Sequence, residues 1–150
     1  LRPTMTGIYF DIKSDDITNP RIGQKFDMIT CISVLEHIPA HREALKGMFS
    51  LLNPGGQIIL TFPYNEHTYH ADIYRHPQAG YGQQHPFIGQ VYSRNELNSW
   101  LADNGGVILK QIYYEAFTGE FWTMGDPIYP LRETTADARH HLTCLLLAKS

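Results

Sequence analysis

The sequence predicts an α/β domain, and three observations predict it. Phe26 to Ile32 is a near-continuous apolar run broken by Asp27 and Thr30, the pattern of a strand covered on both faces. Leu45, Met48, Phe49 and Leu52 then recur at i, i+3, i+4 and i+7, a single stripe with which a helix faces a sheet. Asn53-Pro54-Gly55-Gly56 reverses the chain into a second apolar run, Gln57 to Phe62. Strand, helix and strand in this order make one β-α-β unit. Polar residues, Glu36 and His37 among them, collect at the carboxyl end of its first strand, the edge at which open parallel sheets bind ligands.

The remaining elements follow from local signals. Gly7 to Ile12 reads as a short strand that runs into the polar loop Lys13 to Pro20, with Pro20 and Gly23 as its boundary. The helix is expected from Pro39, a residue favoured in a first turn. It must stop at Asn53-Pro54-Gly55, because proline cannot continue a helix and glycine enters the left-handed conformation freely. Tyr64 to Tyr92 is rich in tyrosine and histidine and shows no sustained period. So long a stretch in a compact domain is expected to be a lid or binding loop. Ser93-Arg94-Asn95-Glu96 has the form of a capping box; Leu97, Trp100 and Leu101 supply that helix's stripe, and Gly105-Gly106 ends it. Val107 to Phe117 is a strand, Thr118 to Arg139 a surface excursion carrying Pro127 and Pro130, and His141 to Ala148 a last apolar strand. Trp100 and Trp122 are expected to pack rather than to carry a ligand.

Composition bounds the functional classes. A chain of 150 residues fits a single domain, 1–150, with a lid at 64–92; a domain of that size buries roughly 70% of its unfolded surface. With 43% hydrophobic residues, 18% charged residues and a formal net charge of −3, neither disorder nor non-specific binding of nucleic acid is indicated. No apolar run approaches the ~20 residues of a membrane span, and Leu1-Arg2-Pro3-Thr4 lacks the order of a signal peptide. A cytoplasmic protein without nucleic-acid or membrane partners is expected.

The wording of Phe26-Asp27, then Val34-Leu35-Glu36-His37-Ile38, then Leu51-Leu52-Asn53-Pro54-Gly55-Gly56 resembles the middle of a class I S-adenosylmethionine-dependent methyltransferase. The resemblance implies a Rossmann-like sheet, mostly parallel with an antiparallel last strand, and S-adenosyl-L-methionine as cofactor. It covers roughly residues 7 to 63 well and the remainder only in the order of elements. Members of this class place a glycine-rich loop of the E-x-G-x-G type after their first strand, whereas here no such loop precedes Phe26, and Gly7 and Gly23 stand alone. The chain also does not open on Met. The expectation is therefore a sequence that starts partway through a longer protein, or a fragment truncated at its N-terminus that lacks half the cofactor site and binds the cofactor poorly by itself. In the implied strand order one strand separates Cys31 from Cys144, about 10 Å at the usual strand spacing, too far for a disulfide. Two buried thiols are expected.

The resemblance also assigns roles. Asp16 stands ten residues before Phe26, where the family places a carboxylate that accepts from the adenine amine, with an apolar neighbour, here Ile17, flanking the ring. Asp11 is the candidate for the ribose hydroxyls. Cys31, Ile32 and Ser33 fall where the cofactor's methionine part is approached. Transfer from a sulfonium is an in-line displacement, so the protein aligns the acceptor, excludes water and, for a hydroxyl acceptor, takes a proton. Histidine can take a proton near neutral pH; His37 is the candidate base, with Glu36 to orient it or to bind substrate. His67-x-x-His70 alone is not a zinc pattern, so no metal is expected. Tyr64, His67, His70, Tyr81 and His85, with Tyr69, Tyr74 and Arg75, offer instead a polar, aromatic pocket suited to a hydroxylated or sugar-like acceptor. The acceptor is expected to be an oxygen or nitrogen of a small molecule, such as a sugar or glycan precursor.

Two other readings stand beside this one. A non-catalytic, truncated methyltransferase-like domain would act through protein-protein contacts at an exposed central strand edge, one that a homo-oligomer or an upstream segment would cover. A different nucleotide-using α/β enzyme lacks support, because neither G-x-G-x-x-G nor a Walker motif is present.

Overall fold

The elements alternate as expected, but the sheet they build is mixed. The computed structural model describes the backbone of residues 2–3 and 9–10 and the whole of residues 11–150. Two short strands, β1 (Arg2–Pro3) and β2 (Tyr9–Phe10), pair antiparallel as a ladder of their own. Gly7 and Ile8 of the expected first strand lie outside the described residues. The main chain of elements is β3 (Phe26–Ile32), α1 (His41–Ser50), β4 (Leu52–Pro63), α2 (Arg94–Asn104), β5 (Gly106–Phe117), β6 (Pro127–Thr134) and β7 (Leu142–Lys149).

The five-stranded sheet has the order β3-β4-β7-β5-β6. Among the described residues only β3 and β4 are parallel neighbours; β7 runs antiparallel to both β4 and β5, and β6 antiparallel to β5. This corrects the mostly parallel sheet. Parallel neighbours need a crossover, and α1 provides one between β3 and β4. The strands that α2 joins, β4 and β5, also point the same way, but β7 returns between them and turns both of its ladders antiparallel.

Further corrections concern the two outer strands. The expected excursion 118–139 contains β6, which forms a hairpin with β5 in the register Tyr113↔Thr134 and Glu115↔Arg132. Pro127 and Pro130 are tolerated there because β6 is an edge strand, whose outward side needs no ladder. At the opposite edge β3 is not covered on both faces by the described residues. Met28 and Ile32 are each 51% exposed, and Asp27 and Thr30 are exposed too, while Ile29 and Cys31 pack against the core. Apolar content reports that a strand is hydrophobic, not what stands over it. Cys31 pairs with Leu60 and Thr61 with Cys144, so β4 does separate the cysteines; both thiols are free, and half-buried rather than buried.

The core lies between the sheet and the two helices. Ile58, Leu60 and Phe62 of β4 and Leu145 and Leu147 of β7 meet Leu45, Met48 and Phe49 of α1 and Leu97 and Trp100 of α2. Helix α1 begins at His41, two residues beyond Pro39, and Leu52 belongs to the strand rather than to the helical stripe. Strand β4 starts early and absorbs the reversal as an irregularity. Phe26 pairs with Leu52 but Met28 with Gln57, with Gly55 left-handed at φ 74° and Asn53 Nδ2 donating to Asp27 Oδ1 at 2.8 Å. Ser93 is the N-cap of α2, yet its hydroxyl donates to Glu96 Oε2 at 2.5 Å instead of accepting a backbone N–H, so the two residues of the expected capping box bond to each other and not to the backbone. Gly105, at φ 64°, ends that helix as expected. None of the described helices is long and apolar enough to cross a membrane.

Gly47, in the middle of α1, lets the loop from Lys13 to Pro20 pack down on the helix: a Cβ there would stand 1.8 Å from the Ile17 carbonyl oxygen. Gly47→Ala raises helix propensity, but it must push this loop away. We expect a net loss of about 1–3 kcal/mol in urea unfolding, the usual range for overpacking, where propensity alone gives a gain. Burial holds the His41, His70 and His141 imidazoles below their ordinary value. His141 shows why: its Nδ1 accepts the Ala116 N–H at 3.1 Å and its Nε2 faces the Gly119 carbonyl at 3.0 Å, a set only the neutral ring satisfies. The unfolded chain takes up these protons near pH 6.5 and the folded chain does not, so stability rises with pH through the window below about 6.5 and is lost on acidification through it. Melting temperatures from pH 7.5 to pH 5.5 should fall; a constant or rising midpoint contradicts this.

Candidate active site at the carboxyl end of β3

Strand β3 leaves the sheet at Ser33, whose left-handed φ of 51° turns the chain out of the plane. The Ser33 N–H is shared between the backbone oxygen and the hydroxyl of Thr61, each at 3.0 Å, which fixes this exit against the neighbouring strand. A single 3-10 turn, Leu35–His37, follows. Leu35 plugs into the core with no exposed surface, and this anchors the turn.

The segment Ile88 to Tyr92 then clamps the turn's backbone. The Tyr92 hydroxyl donates to the Leu35 carbonyl at 2.9 Å and the Gln90 N–H to the Glu36 carbonyl at 3.0 Å. The Gln90 amide donates to the Ile38 carbonyl at 2.9 Å and accepts from the Tyr69 hydroxyl at 2.8 Å. His37 Nδ1 lies 2.7 Å from the Ile88 carbonyl. A carbonyl can only accept, so Nδ1 carries the proton and Nε2 keeps its lone pair when the ring is neutral. Phe87 meets the imidazole edge-on at 4.6 Å and Tyr74 lies nearly parallel to it at 6.4 Å.

Glu36 is 4% exposed, with Oε1 3.9 Å from His37 Nε2 and Oε2 without a hydrogen-bond partner among the described residues. Burial pushes its carboxyl above the ordinary value, and burial together with the nearby Glu36 charge pushes the Cys31 thiol up as well. The Ile88 carbonyl orients the ring, and a buried carboxyl near Nε2 can balance the charge the imidazole gains on accepting a proton.

The other expected site residues divide into two groups. Cys31, Ile32 and Ser33 lead directly into the turn, with Ile32 and Ser33 exposed. Tyr81 and His85 come near through Tyr74, whose ring is 6.2 Å from Tyr81 and 5.1 Å from His85; His85 stacks on Phe87 at 4.8 Å. Asp16 and Ile17 lie elsewhere, in a turn against the middle of α1. There Asp16 Oδ1 accepts from the Thr18 N–H and hydroxyl, and Ile17 packs on the core. Asp11 is exposed and pairs with Lys13 at 3.1 Å. Tyr64 is a core residue with no exposed surface. Its hydroxyl is bound to Glu66 at 2.8 Å, beside Arg94, so the expectation that it lines a pocket is corrected. Its ring alternates with Phe62 and Leu60 on the helix-covered face of β4. His67 is exposed at the surface, and His70 packs edge-on against Phe121 at 4.5 Å. No group of three His, Cys, Asp or Glu placed to hold a metal ion occurs among the described residues. Gln90, Tyr92 and Phe87 were not singled out from sequence; they touch the turn across fifty positions or more, and no local pattern marks such a contact.

The fold has counterparts among known proteins. A family model described as a methyltransferase domain matches residues 6–111. The ubiquinone biosynthesis O-methyltransferase of Coxiella burnetii is 31% identical over 108 residues, covering 66% of this chain and 44% of that protein. A S-adenosylmethionine-dependent methyltransferase of Clostridium acetobutylicum superposes with a TM-score of 0.56 at 14% identity, over 97% of this chain and 67% of its own. The 1,6-didemethyltoxoflavin-N1-methyltransferase of Burkholderia thailandensis, solved with 1,6-didemethyltoxoflavin and S-adenosylhomocysteine bound, gives 0.53 at 13%, over 89% and 48%. The chain thus spans less than half the length of the curated relative it matches. With its β3-turn-α1-β4 unit inside the matched region, this chain belongs to the methyltransferase domain family.

Proposed function

We propose that the carboxyl edge of β3 serves methyl transfer from S-adenosyl-L-methionine to a hydroxyl of a small molecule, with His37 as general base. The observation that carries this reading is the fixed tautomer of His37: Nδ1 is held by the Ile88 carbonyl, and Nε2 is left with its lone pair beside a buried carboxyl. The exposed end of β3, with Ile32 and Ser33, fits a cofactor that must be approached by backbone. When bound, the cofactor supplies a methyl group on a positively charged sulfur. His37 Nε2 removes the acceptor's hydroxyl proton as its oxygen attacks, Glu36 balances the imidazolium, and the Gln90 and Tyr92 clamp holds the turn in place. The name of the Coxiella relative supports an oxygen acceptor. A sugar or glycan-precursor acceptor finds no comparable support. Among the described residues β3 has no strand beside its outer edge, and Met28, Ile32 and Val34 are exposed, which favours a second reading, in which this edge contacts another protein chain.

Calorimetric titration with S-adenosylhomocysteine separates the two. Micromolar binding supports the enzyme; no heat at millimolar ligand, together with a dimer in size-exclusion chromatography, supports the contact domain. In a protein that turns over, His37→Ala should lower kcat about 10²- to 10⁴-fold, the usual contribution of a positioned base, and leave S-adenosylhomocysteine affinity within about twofold. An unchanged rate removes His37 from the mechanism.

A further inference from the structure

We infer that a cavity at the carboxyl end of β5 binds the flat, apolar ring system of the acceptor. This rests on the proposed methyl transfer for what the ligand is, but not for the existence of the site. The cavity is about 550 Å³, a size that suits a small organic molecule. Its walls are Tyr81 of the 64–92 segment, Phe117 of β5, Trp122 and Thr123 of the connection to β6, and Tyr129 and Leu131 of β6. None of its lining residues carries a charge. Phe117 meets Trp122 edge-on at 5.0 Å and Tyr81 at 6.2 Å, leaving ring faces and edges on two sides of the cavity. Tyr129 and Leu131, 84% and 41% exposed, form an apolar rim. Trp122, expected only to pack, is thus also a wall.

Thr123 sets this cavity apart from a simple gap in packing. It is a β-branched residue at φ 71°, a left-handed conformation that its side chain disfavours. It is 1% exposed, and its hydroxyl has no hydrogen-bond partner among the described residues. A buried hydroxyl left unpaired is costly, and a polar substituent on a bound ring would satisfy it. Its carbonyl accepts the Gly80 N–H at 2.7 Å, which ties the two sides of the cavity together; a Cβ on Gly80 would stand 2.7 Å from that same oxygen.

The cavity also lies at the right end of the sheet. Strand β5 runs in the same direction as β3, so Phe117 and His37 lie at the same end of the sheet. Tyr74 links His37 to the cavity wall Tyr81: it lies 6.4 Å from His37 and 6.2 Å from Tyr81, wedged against Gly82 and Gly89, where a Cβ would come within 2.1 and 2.5 Å of it. An acceptor whose ring system sits in the cavity extends along this end of the sheet toward His37 Nε2. Such remote contacts supply binding energy that orients the reacting atom.

The test is titration of the full chain with naphthalen-2-ol and with naphthalene, followed by ligand saturation-transfer NMR, with S-adenosylhomocysteine titrated in parallel. We expect naphthalen-2-ol to bind below about 1 mM, and Tyr81→Ala and the exposed-rim variant Leu131→Glu each to weaken it about tenfold or more. Thr123→Val should weaken naphthalen-2-ol about three- to tenfold and leave naphthalene unchanged, the signature of one hydrogen bond; Thr123→Ser should retain the preference. Absence of binding at millimolar naphthalen-2-ol, or equal affinity in Tyr81→Ala and Leu131→Glu with their folds verified by circular dichroism, overturns the site even if S-adenosylhomocysteine binds. Naphthalen-2-ol binding with the expected variant pattern, but without any S-adenosylhomocysteine binding, upholds the site and overturns its assignment to a methyl acceptor.

Discussion

The hydrogen bonds that Ile88, Gln90 and Tyr92 make to the turn Leu35–His37 and to Ile38 hold the candidate site in one conformation. A 3-10 turn at the end of a strand has too few internal bonds to hold its own shape. Here its carbonyls at Leu35, Glu36 and Ile38 find donors on a segment more than fifty residues away, and Leu35 pins it to the core from below. The clamp also sets the chemistry. Because Ile88 offers a carbonyl and not an N–H, His37 presents a lone pair rather than a proton at Nε2.

That long segment is neither a detached lid nor plain core. Tyr64 and Tyr92, at its ends, are fully buried and bridge to each other, so it is stitched into the sheet's edge at both limits. Its middle, around Tyr74, Tyr81, His85 and Phe87, carries rings between His37 and the cavity under β5. Insertion of β7 between β4 and β5 decides how far apart these places are. It moves β5 one strand away from β4, opens a span along the carboxyl edge that the 64–92 segment crosses, and leaves room for β6 outside.

Glu36 and His37 were legible from sequence because a polar pair after an apolar strand has a local signature, and Tyr81 was legible as an aromatic in a loop. Tyr64 was misread for the same reason: loop composition suggested a binding surface, while strand alternation continued through Pro63 and carried its ring into the core. Thr123 gave no signal at all. Its significance lies in a backbone angle and a missing partner, and neither is visible in a row of letters.

Taken alone, the amino-acid order determined what is short-range: β3 at its observed limits, the faces of α1 and α2, the left-handed glycines 55 and 105, and the placement of Glu36 and His37 at a strand's end. Those features depend on side-chain period and on residues a few positions apart. The tertiary structure alone decided that the sheet is mixed, that 118–139 holds a strand, and that Gln90 and Tyr92 bind the turn Leu35–His37 and Ile38. Which strand becomes whose neighbour depends on the whole set of buried faces being satisfied at once, and that sum is taken over contacts distant in sequence.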